Sequence, residues 1–291
     1  MQRGIIIKGI GGFYYVKSNQ NIIECKARGI FRKDHVIPMV GDQVIISKNE
    51  DGQGMIEEIL PRKNLLIRPP VSNVDQVIIV FALLKPNPNF QLLDGFLVHG
   101  EKQKLSIIIC INKVDLEDQS GTLKEIKEIY RNTGYPIIFT SAKKEIGIEK
   151  LVGHLNNHIN VFAGPSGVGK SSLLNKINEN YNLKIGDISK KAERGKHTTR
   201  HVELLPFGEN GYVADTPGFS SISMGEMEEK ELMFYYSDFR PHIGNCKFKT
   251  CLHIHEPGCA IKESVKSGKI HYKRYQSYLN FIEEIRENTP Y

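Results

Sequence analysis

The most constraining feature of the sequence is the octet Gly-Pro-Ser-Gly-Val-Gly-Lys-Ser at residues 164–171, which satisfies the pattern G-x-x-x-x-G-K-S in full. An apolar segment precedes the octet and a helical pattern begins at Lys170, which is the setting of a phosphate-binding loop. Glycines let successive backbone N–H groups turn toward phosphate oxygens, and the helix adds its positive end. We expect Lys170 to reach the β- and γ-phosphates of a nucleotide and Ser171 to bind Mg²⁺. The predicted loop residues are Gly164, Pro165, Ser166, Gly167, Val168, Gly169, Lys170, Ser171 and Ser172.

Two motifs that precede this loop in the chain predict which base the nucleotide carries. One follows the apolar residues 105–111 and the other follows residues 136–140. An aspartate at position 115 can accept hydrogen bonds from both N1–H and the amino group of guanine, and adenine offers no such pair of donors. The motifs resemble the N-K-x-D and S-A-K motifs with which GTPases bind guanine. They comprise Asn112, Lys113, Val114 and Asp115, and Ser141, Ala142 and Lys143.

A third motif, Asp215-Thr216-Pro217-Gly218, matches the D-x-x-G pattern of a GTPase switch. We expect Asp215 to reach Mg²⁺ through water and the Gly218 amide to meet the γ-phosphate. Thr198 and Thr199 are both candidates for the threonine that binds Mg²⁺, and we favour Thr199.

The group that orients the attacking water is less well defined by the sequence. Phe219 follows the D-x-x-G motif where many GTPases carry glutamine, and an apolar side chain cannot align a water molecule. We therefore predict slow intrinsic hydrolysis and consider His197 a candidate catalytic residue. The alternative is that His197 is an exposed loop histidine without a catalytic role.

The order of these motifs is unusual. In most GTPases the phosphate loop comes first, whereas here the base-recognition motifs precede it and D-x-x-G comes last. We interpret this as a circular permutation, which is possible because all the loops lie at one edge of the sheet. Because the segment after D-x-x-G leads into the C-terminal region, nucleotide state could act on that region directly.

A cluster of three cysteines and nearby histidines predicts a metal site in the C-terminal region. Cys246, Cys251 and Cys259 lie within fourteen residues, and His253, His255 and His242 compete for a fourth position. Three thiolates and one imidazole suit tetrahedral Zn²⁺ and leave no open position for water, so the ion would be structural. Reduced cysteines without a metal are the alternative.

The remaining pattern divides the chain into three parts. Residues 1–69 carry five β-rich segments without helical periodicity, typical of an OB-fold or another small barrel. Strand patterns such as residues 105–111 then alternate with helical patterns such as the one near residues 90–101, which indicates a mostly parallel sheet covered on both faces. A further strand pattern covers residues 201–206. We predict an N-terminal OB-fold-like β-barrel at 1–69, a central α/β P-loop GTPase domain, circularly permuted, at 70–221, and a mainly helical zinc-binding domain at 222–291.

The charge and composition of the sequence predict what kind of partner the protein binds and in which compartment it acts. Residues 1–69 hold 11 basic and 7 acidic side chains, which favours a polyanionic partner for the barrel. Apolar runs are strand-sized, the first residues lack a signal-peptide core, and the five cysteines do not form a disulfide pattern. We therefore expect a cytoplasmic protein that does not bind a membrane.

The whole chain resembles the family of ribosome small-subunit-dependent GTPase A (RsgA, also YjeQ/YloQ), which are circularly permuted GTPases. One departure is Lys196, where the family pattern has arginine, and the positive charge is retained. The matching segments are NKVD at 112–115, GPSGVGKSS at 164–172, GKHTTR at 195–200, DTPGF at 215–219 and CKFKTCLHIHEPGC at 246–259.

This resemblance implies that His253 completes the zinc site with Cys246, Cys251 and Cys259, and that His197 acts in catalysis. It further implies binding to the 30S ribosomal subunit and its 16S rRNA, and hydrolysis of GTP to GDP, stimulated by the subunit, late in subunit maturation. The basic stretch at 262–274 is a second candidate RNA contact, or else a solvated helix face. We expect a monomer.

Two other classes of protein share some of these features. A metabolic P-loop kinase would bind ATP, and a zinc-dependent nucleic-acid-binding module would bind nucleotide without turnover. Relative affinity for GTP and ATP, and hydrolysis with and without small subunits, distinguish these alternatives.

Overall fold

The computed structural model describes residues 1–29, 31, 36–49, 52–67, 69–116, 119, 121–178, 181, 202–208, 210–214, 224 and 227–288. The chain divides into two compact units. No helix in this described part is long and apolar enough to cross a membrane. The first unit comprises Met1–Ile78, Ile148–Ala163 and Ser171–Phe219, and the second comprises Ile79–Gly147, Gly164–Lys170 and Ser220–Tyr291.

The first unit begins with the predicted five-stranded barrel. The strands close in the order β1-β2-β3-β5-β4, antiparallel except for β3 and β5. Alternate side chains such as Val44 and Ile46 point into a fully buried core, as period-2 patterning requires. A Cβ at Gly54 would lie 2.3 Å from Cys25 Sγ, so glycine is needed where β5 meets β3. The strands are β1 Gln2–Ile10, β2 Phe13–Ser18, β3 Asn21–Ala27, β4 Gln43–Lys48 and β5 Gly54–Ile59.

A short hairpin after the barrel was not evident from the sequence. Its strands are β6 Leu65–Ile67 and β7 Pro70–Ser72. The two prolines at 69 and 70 indicate a break, but a proline is tolerated as the first residue of a strand. The domain limits at 69/70 and 221/222 remain predictions.

The predicted α/β sheet has six strands in the order β10-β9-β8-β11-β13-β12. β10 runs parallel to β9 and β11 parallel to β13, whereas β12 is antiparallel to β13 at the edge. Every residue of β8 and β11 is buried, as expected for strands covered on both faces. The strands are β8 Gln76–Ala82, β9 Ser106–Asn112, β10 Ile137–Phe139, β11 Ile159–Ala163, β12 Leu204–Phe207 and β13 Gly211–Ala214.

Seven α-helices are described. The side chain of Asn89 caps the first of them by accepting a hydrogen bond from Leu92 N at 2.9 Å. Short 3₁₀ turns at Met233–Tyr235 and Arg240–His242 join the C-terminal elements. The helices are α1 Phe90–Lys102, α2 Thr122–Tyr130, α3 Ile148–Leu155, α4 Lys170–Ile177, α5 Glu229–Leu232, α6 Ala260–Lys266 and α7 Tyr272–Asn288.

In the second unit the C-terminal elements share a hydrophobic core with α1. Tyr236, Phe239 and Tyr278 are fully buried and their rings pack 4.8–5.5 Å apart, and Val98 of α1 belongs to the same cluster. Ring burial of this kind contributes more than area alone. The C-terminal region is therefore mainly helical and is anchored on a helix of the α/β part.

Candidate nucleotide site and metal centre

The predicted phosphate loop joins β11 to α4. Gly164, Gly167 and Gly169 have φ angles of 132°, 79° and 98°. A Cβ at Gly164 would lie 2.1 Å from Val80 O, and one at Gly169 would lie 2.4 Å from Asn112 Nδ2. Glycine is therefore required both for the backbone conformation and for close approach to the neighbouring strands.

Lys170 opens α4 and turns its ammonium group over the loop. Nζ donates hydrogen bonds to the carbonyl oxygens of Gly164 and Pro165, both at 2.7 Å. Burial lowers the pKa of Lys170 to about 8, because desolvation disfavours the charged form. Phosphate oxygens near Nζ would favour the ammonium form again, so the loop is suited to a polyanionic ligand.

The N-K-x-D segment is bonded to this loop. Asn112 ends β9, and its Nδ2 donates to Val168 O at 2.9 Å. Lys113 has φ of 63°, and its Nζ donates to Gly167 O at 2.7 Å and to Lys85 O. The structure therefore brings together two motifs that lie more than fifty residues apart in the sequence.

The S-A-K segment is held by the same asparagine and by Asp115. Asn112 Oδ1 accepts hydrogen bonds from Thr140 Oγ1 at 3.3 Å and from Ala142 N at 3.2 Å. Ser141 Oγ donates to Asp115 Oδ1 at 2.5 Å, and this bond lowers the pKa of the Asp115 carboxyl. Asp115 is therefore held as a carboxylate acceptor beside the loop that carries Lys143.

The predicted switch residues lie outside the described residues. These are His197, Thr198, Thr199, Asp215, Gly218 and Phe219. Of the three predicted Mg²⁺ ligands, only Ser171 is described, as a buried residue in the first turn of α4. The site that the structure defines therefore consists of the phosphate loop and the two base-recognition loops.

The cysteine cluster converges as a closed set of donor atoms. The ligand atoms of Cys246, Cys251, His253 and Cys259 all lie within 4.8 Å of one another. His253 Nδ1 is 3.5 Å from Cys246 Sγ and 3.3 Å from Cys259 Sγ, and these two sulfurs are 4.0 Å apart. Tetrahedral Zn²⁺ with Zn–S bonds of about 2.3 Å separates its sulfurs by about 3.8 Å. The donor set and its spacing fit one such ion.

Surrounding groups fix the loop that carries His253. Its φ is 63°, and the neighbouring backbone is held because the Glu256 carboxylate accepts from Leu252 N and Ile254 N at 2.7 and 2.8 Å. Tyr275 OH donates to His253 O at 2.7 Å. Burial lowers the pKa of His253, which favours the neutral imidazole that a metal requires.

Sequence reasoning placed Arg274 at the end of the basic stretch 262–274, as an RNA contact or part of a solvated helix face, and this was wrong for Arg274, which is buried in the second unit. Arg274 of α7 is fully buried, and its guanidinium donates to Asp94 of α1 at 2.6 Å and to both carboxylate oxygens of Asp238 at 2.8 and 3.2 Å. Tyr130 OH donates to Asp94 at 2.9 Å. The sequence did contain a signal for the burial of Arg274, because this residue shares a helical face with the apolar Tyr278 and Phe281.

The fold and the site together define a class of protein. The phosphate loop and the two base-recognition loops follow strands of one largely parallel sheet, and the base-recognition motifs come first in the chain. A sheet that carries these loops in this order is that of a circularly permuted GTPase.

Comparison with known proteins narrows this class to one family. The chain matches the family RsgA GTPase over residues 59–225 and the family RsgA N-terminal domain over residues 3–56. It is 48% identical to the small ribosomal subunit biogenesis GTPase RsgA of Alkaliphilus metalliredigens over 100% of both chains. The chain belongs to the RsgA GTPase family.

Two solved structures are similar over nearly their whole length. YloQ, a circularly permuted GTPase, is 42% identical with a TM-score of 0.86, covering 100% of this chain and 97% of that one. YjeQ from Thermotoga maritima is 40% identical with a TM-score of 0.88, covering 98% of each chain. The predicted fold class, with a barrel, a permuted GTPase domain and a C-terminal cysteine–histidine cluster, is thereby confirmed.

Proposed function

We propose that this protein binds the small ribosomal subunit and hydrolyses GTP during late maturation of that subunit, and that the subunit stimulates hydrolysis. The observation that carries the proposal is the bonding of Asn112 and Lys113 to the phosphate loop at Val168 and Gly167. This bonding supports guanine recognition beside phosphate binding, as one nucleotide requires. The printed name of the relatives, small ribosomal subunit biogenesis GTPase RsgA, supports the ribosomal role.

In the proposed site each loop has a separate task. Asp115 accepts hydrogen bonds from the guanine N1–H and amino group, and the 141–143 loop faces the O6 edge. The backbone N–H groups of 164–171 hold the α- and β-phosphates, and Lys170 neutralises charge that develops on the β- and γ-phosphates. The full proposed set is Asn112, Lys113, Val114, Asp115, Ser141, Ala142, Lys143, Gly164, Pro165, Ser166, Gly167, Val168, Gly169, Lys170, Ser171, Ser172, Thr199, Asp215 and Gly218.

The nucleotide is proposed to bind with Mg²⁺, held by Ser171, Thr199 and, through water, Asp215. When bound, the ion neutralises charge on the phosphate oxygens. The Ser171 hydroxyl is suited to this role because it is buried at the start of α4, next to Lys170. His197 is proposed to orient the attacking water in place of the glutamine that Phe219 replaces.

The C-terminal cluster is proposed to hold one structural zinc ion through Cys246, Cys251, His253 and Cys259. Four protein ligands leave no position for substrate or water, so the ion would stabilise the fold and not take part in hydrolysis. In this region the ion would join the ligand loop that carries Cys246, Cys251 and His253 to α6, whose residue before the first turn is Cys259.

The barrel is proposed to contact 16S rRNA of the 30S subunit. A cavity of about 630 Å³ opens on its surface, and its lining includes Phe13, Tyr14, Lys26 and Arg28. Lys26 Nζ lies 5.3 Å from the centre of the Phe13 ring. Aromatic rings beside cations suit unstacked bases and phosphates. We further propose that the protein acts in the cytoplasm as a monomer.

Hydrolysis measured with and without purified small subunits tests the proposal. We expect slow turnover of GTP alone, a large increase when subunits are added, and no comparable turnover of ATP. Equal rates with and without subunits would contradict the ribosomal role, and equal use of ATP would favour a metabolic kinase.

A variant test addresses the guanine site itself. Asp115→Asn removes the carboxylate that accepts the two guanine donors, so GTP affinity should fall by about 100-fold or more while affinity for xanthosine triphosphate rises. The exposed Glu128→Gln makes the same chemical change on α2 and should leave both affinities unchanged.

A further inference from the structure

A second cleft lies in the first unit, apart from the cavity on the barrel. It is formed where the barrel, the segment that follows it and the beginnings of two sheet strands meet, and its volume is about 590 Å³. Its lining includes Arg3 of β1, Lys17 of β2, Lys63 and Asp75 of the following segment, His158 immediately before β11, and Tyr212 of β13.

This cleft is at the opposite end of β11 from the phosphate loop. Ile159, the first residue of β11, pairs with Tyr212 of β13, whereas Gly164 follows the last residue. Five strand residues at about 3.3 Å each span about 16 Å. The cleft therefore lies at the amino ends of the parallel strands, and the nucleotide loops follow their carboxyl ends.

The cations of the cleft are only partly compensated. Lys63 Nζ is paired with Asp75 Oδ1 at 2.8 Å, and the other oxygen of Asp75 accepts from Ile159 N at 2.9 Å. Arg3 is bonded to the neutral side chain of Gln43, and Lys17 donates to Gln20 O at 3.2 Å. Within the described part of the chain neither Arg3 nor Lys17 forms an ion pair. The cleft therefore presents uncompensated positive charge, which favours an anionic ligand.

The other lining side chains are mixed, polar at Gln43, Asn73, Asn157 and Asn210 and apolar at Ile5, Pro61 and Ile159. The side chains of Gln43, Asn157 and Asn210 lie among the cations. None of the well-exposed large hydrophobic side chains in the described residues lines the cleft. A protein partner would be expected to bury apolar or aromatic anchors at the centre of its interface. Cations together with amide groups are instead the groups that contact phosphate and ribose oxygens.

We propose that this cleft binds the sugar–phosphate backbone of an rRNA strand of the small subunit. The inference rests on the proposed function, because that function makes ribosomal RNA the available polyanion. It adds a contact distinct from the aromatic cavity on the barrel, with no base selectivity and a strong dependence on salt.

The test reverses the two uncompensated charges. In Arg3→Glu/Lys17→Glu both cations become carboxylates, and the matched control Lys124→Glu/Lys150→Glu makes the same change in net charge at exposed positions in the first turns of α2 and α3. Acidic residues are tolerated there because of the helix dipole. A milder pair, Arg3→Gln/Lys17→Gln, covers the case in which charge reversal disturbs the barrel, and an unchanged circular dichroism spectrum with unchanged amide exchange of the barrel strands reports correct folding.

Two RNA probes distinguish failure of the cleft assignment from failure of the proposed function. The first is a fluorescein-labelled 12-residue oligouridylate and the second is the purified small subunit, each titrated over a range of salt. Loss of two phosphate contacts should reduce the slope of the logarithm of the binding constant against the logarithm of the salt concentration by about 1.4–1.8. It should weaken binding about 20-fold in 0.15 M salt. The control should bind like the wild-type protein, and the glutamine pair should lie between the two.

Each outcome has a definite meaning. Equal oligouridylate binding by Arg3→Glu/Lys17→Glu and by the control would overturn the cleft assignment, even if subunits stimulate hydrolysis in the wild-type protein. If Arg3→Glu/Lys17→Glu loses oligouridylate binding but subunits do not stimulate GTP hydrolysis by the wild-type protein, the result would support the cleft and contradict the proposed function. A photocrosslinker at the exposed Asn157 should attach to rRNA on the subunit, and attachment only to a ribosomal protein would also overturn the inference.

Discussion

Replacement of Arg274 by methionine should destabilise the junction between α7 and α1. The guanidinium is fully buried and donates one hydrogen bond to Asp94 and two to Asp238, and both carboxylates are at most 2% exposed in their side chains. Methionine retains much of the volume but leaves two buried carboxylates without their cation. Breaking a buried ion pair in this way typically costs about 3–5 kcal/mol.

Protonation limits this cost. Burial already raises the pKa of Asp94, and Tyr130 OH continues to donate to it at 2.9 Å, so Asp94 can take up a proton when the guanidinium is removed. Both oxygens of Asp238 accept from Arg274, so this buried carboxylate loses both of these hydrogen bonds when the guanidinium is removed. We therefore expect a loss of about 3 kcal/mol, at the lower end of the range.

Hydrogen exchange of the amides of α1 and α7 measures this effect locally. A loss of about 3 kcal/mol corresponds to an increase of roughly 150-fold in the local opening constant. The control is Arg286→Met, which removes a partly exposed pair with Glu229 and should cost less than about 1 kcal/mol. The variant Arg274→Met/Asp94→Asn/Asp238→Asn should recover part of the loss, because no buried charge remains. If Arg274→Met changes exchange no more than Arg286→Met does, the buried ion triad does not stabilise this junction.

Three further predictions concern the predicted nucleotide loops and the cysteine–histidine cluster. Burial lowers the pKa of Lys170 to about 8, and bound phosphates would favour its ammonium form. GDP binding should therefore take up protons above pH 8, and GDP affinity should fall as the pH rises. Calorimetry in buffers of different ionisation enthalpy measures the proton uptake, and a constant affinity between pH 7 and 10 would contradict the prediction. Gly169→Ala should lower GDP affinity by about tenfold or more, since its Cβ would lie 2.4 Å from Asn112 Nδ2, whereas Gly134→Ala, also at positive φ but with open space around it, should lower stability only. Cys259→Ser should abolish stoichiometric zinc in elemental analysis, and the buried Cys25→Ser should retain it; equal zinc content in both variants would argue against the site.

The predicted strands and helices that surround the motifs agree with the structure to within a few residues. The strand predicted at 105–111 is β9 Ser106–Asn112, and the helix predicted at 90–101 is α1 Phe90–Lys102. Such segments are recognisable because burial on both faces demands a continuous apolar run and a helix demands its own period. The strand predicted at 201–206 corresponds to β12 Leu204–Phe207, where a mixed apolar and polar pattern defines the ends less well, and residue 201 lies outside the described residues.

The sequence by itself determined which residue types occupy the predicted nucleotide loops, because a phosphate cradle and a guanine acceptor would each require particular residue types at contiguous positions. Only the tertiary structure decided how those loops meet, through Asn112 and Lys113, and which side chains become partners across long separations. Arg274 and Asp94 are 180 residues apart, and the cleft between Arg3 and Tyr212 combines segments from distant parts of the chain. The physical reason is that a local pattern records what a segment buries, whereas its partner depends on how the whole chain packs.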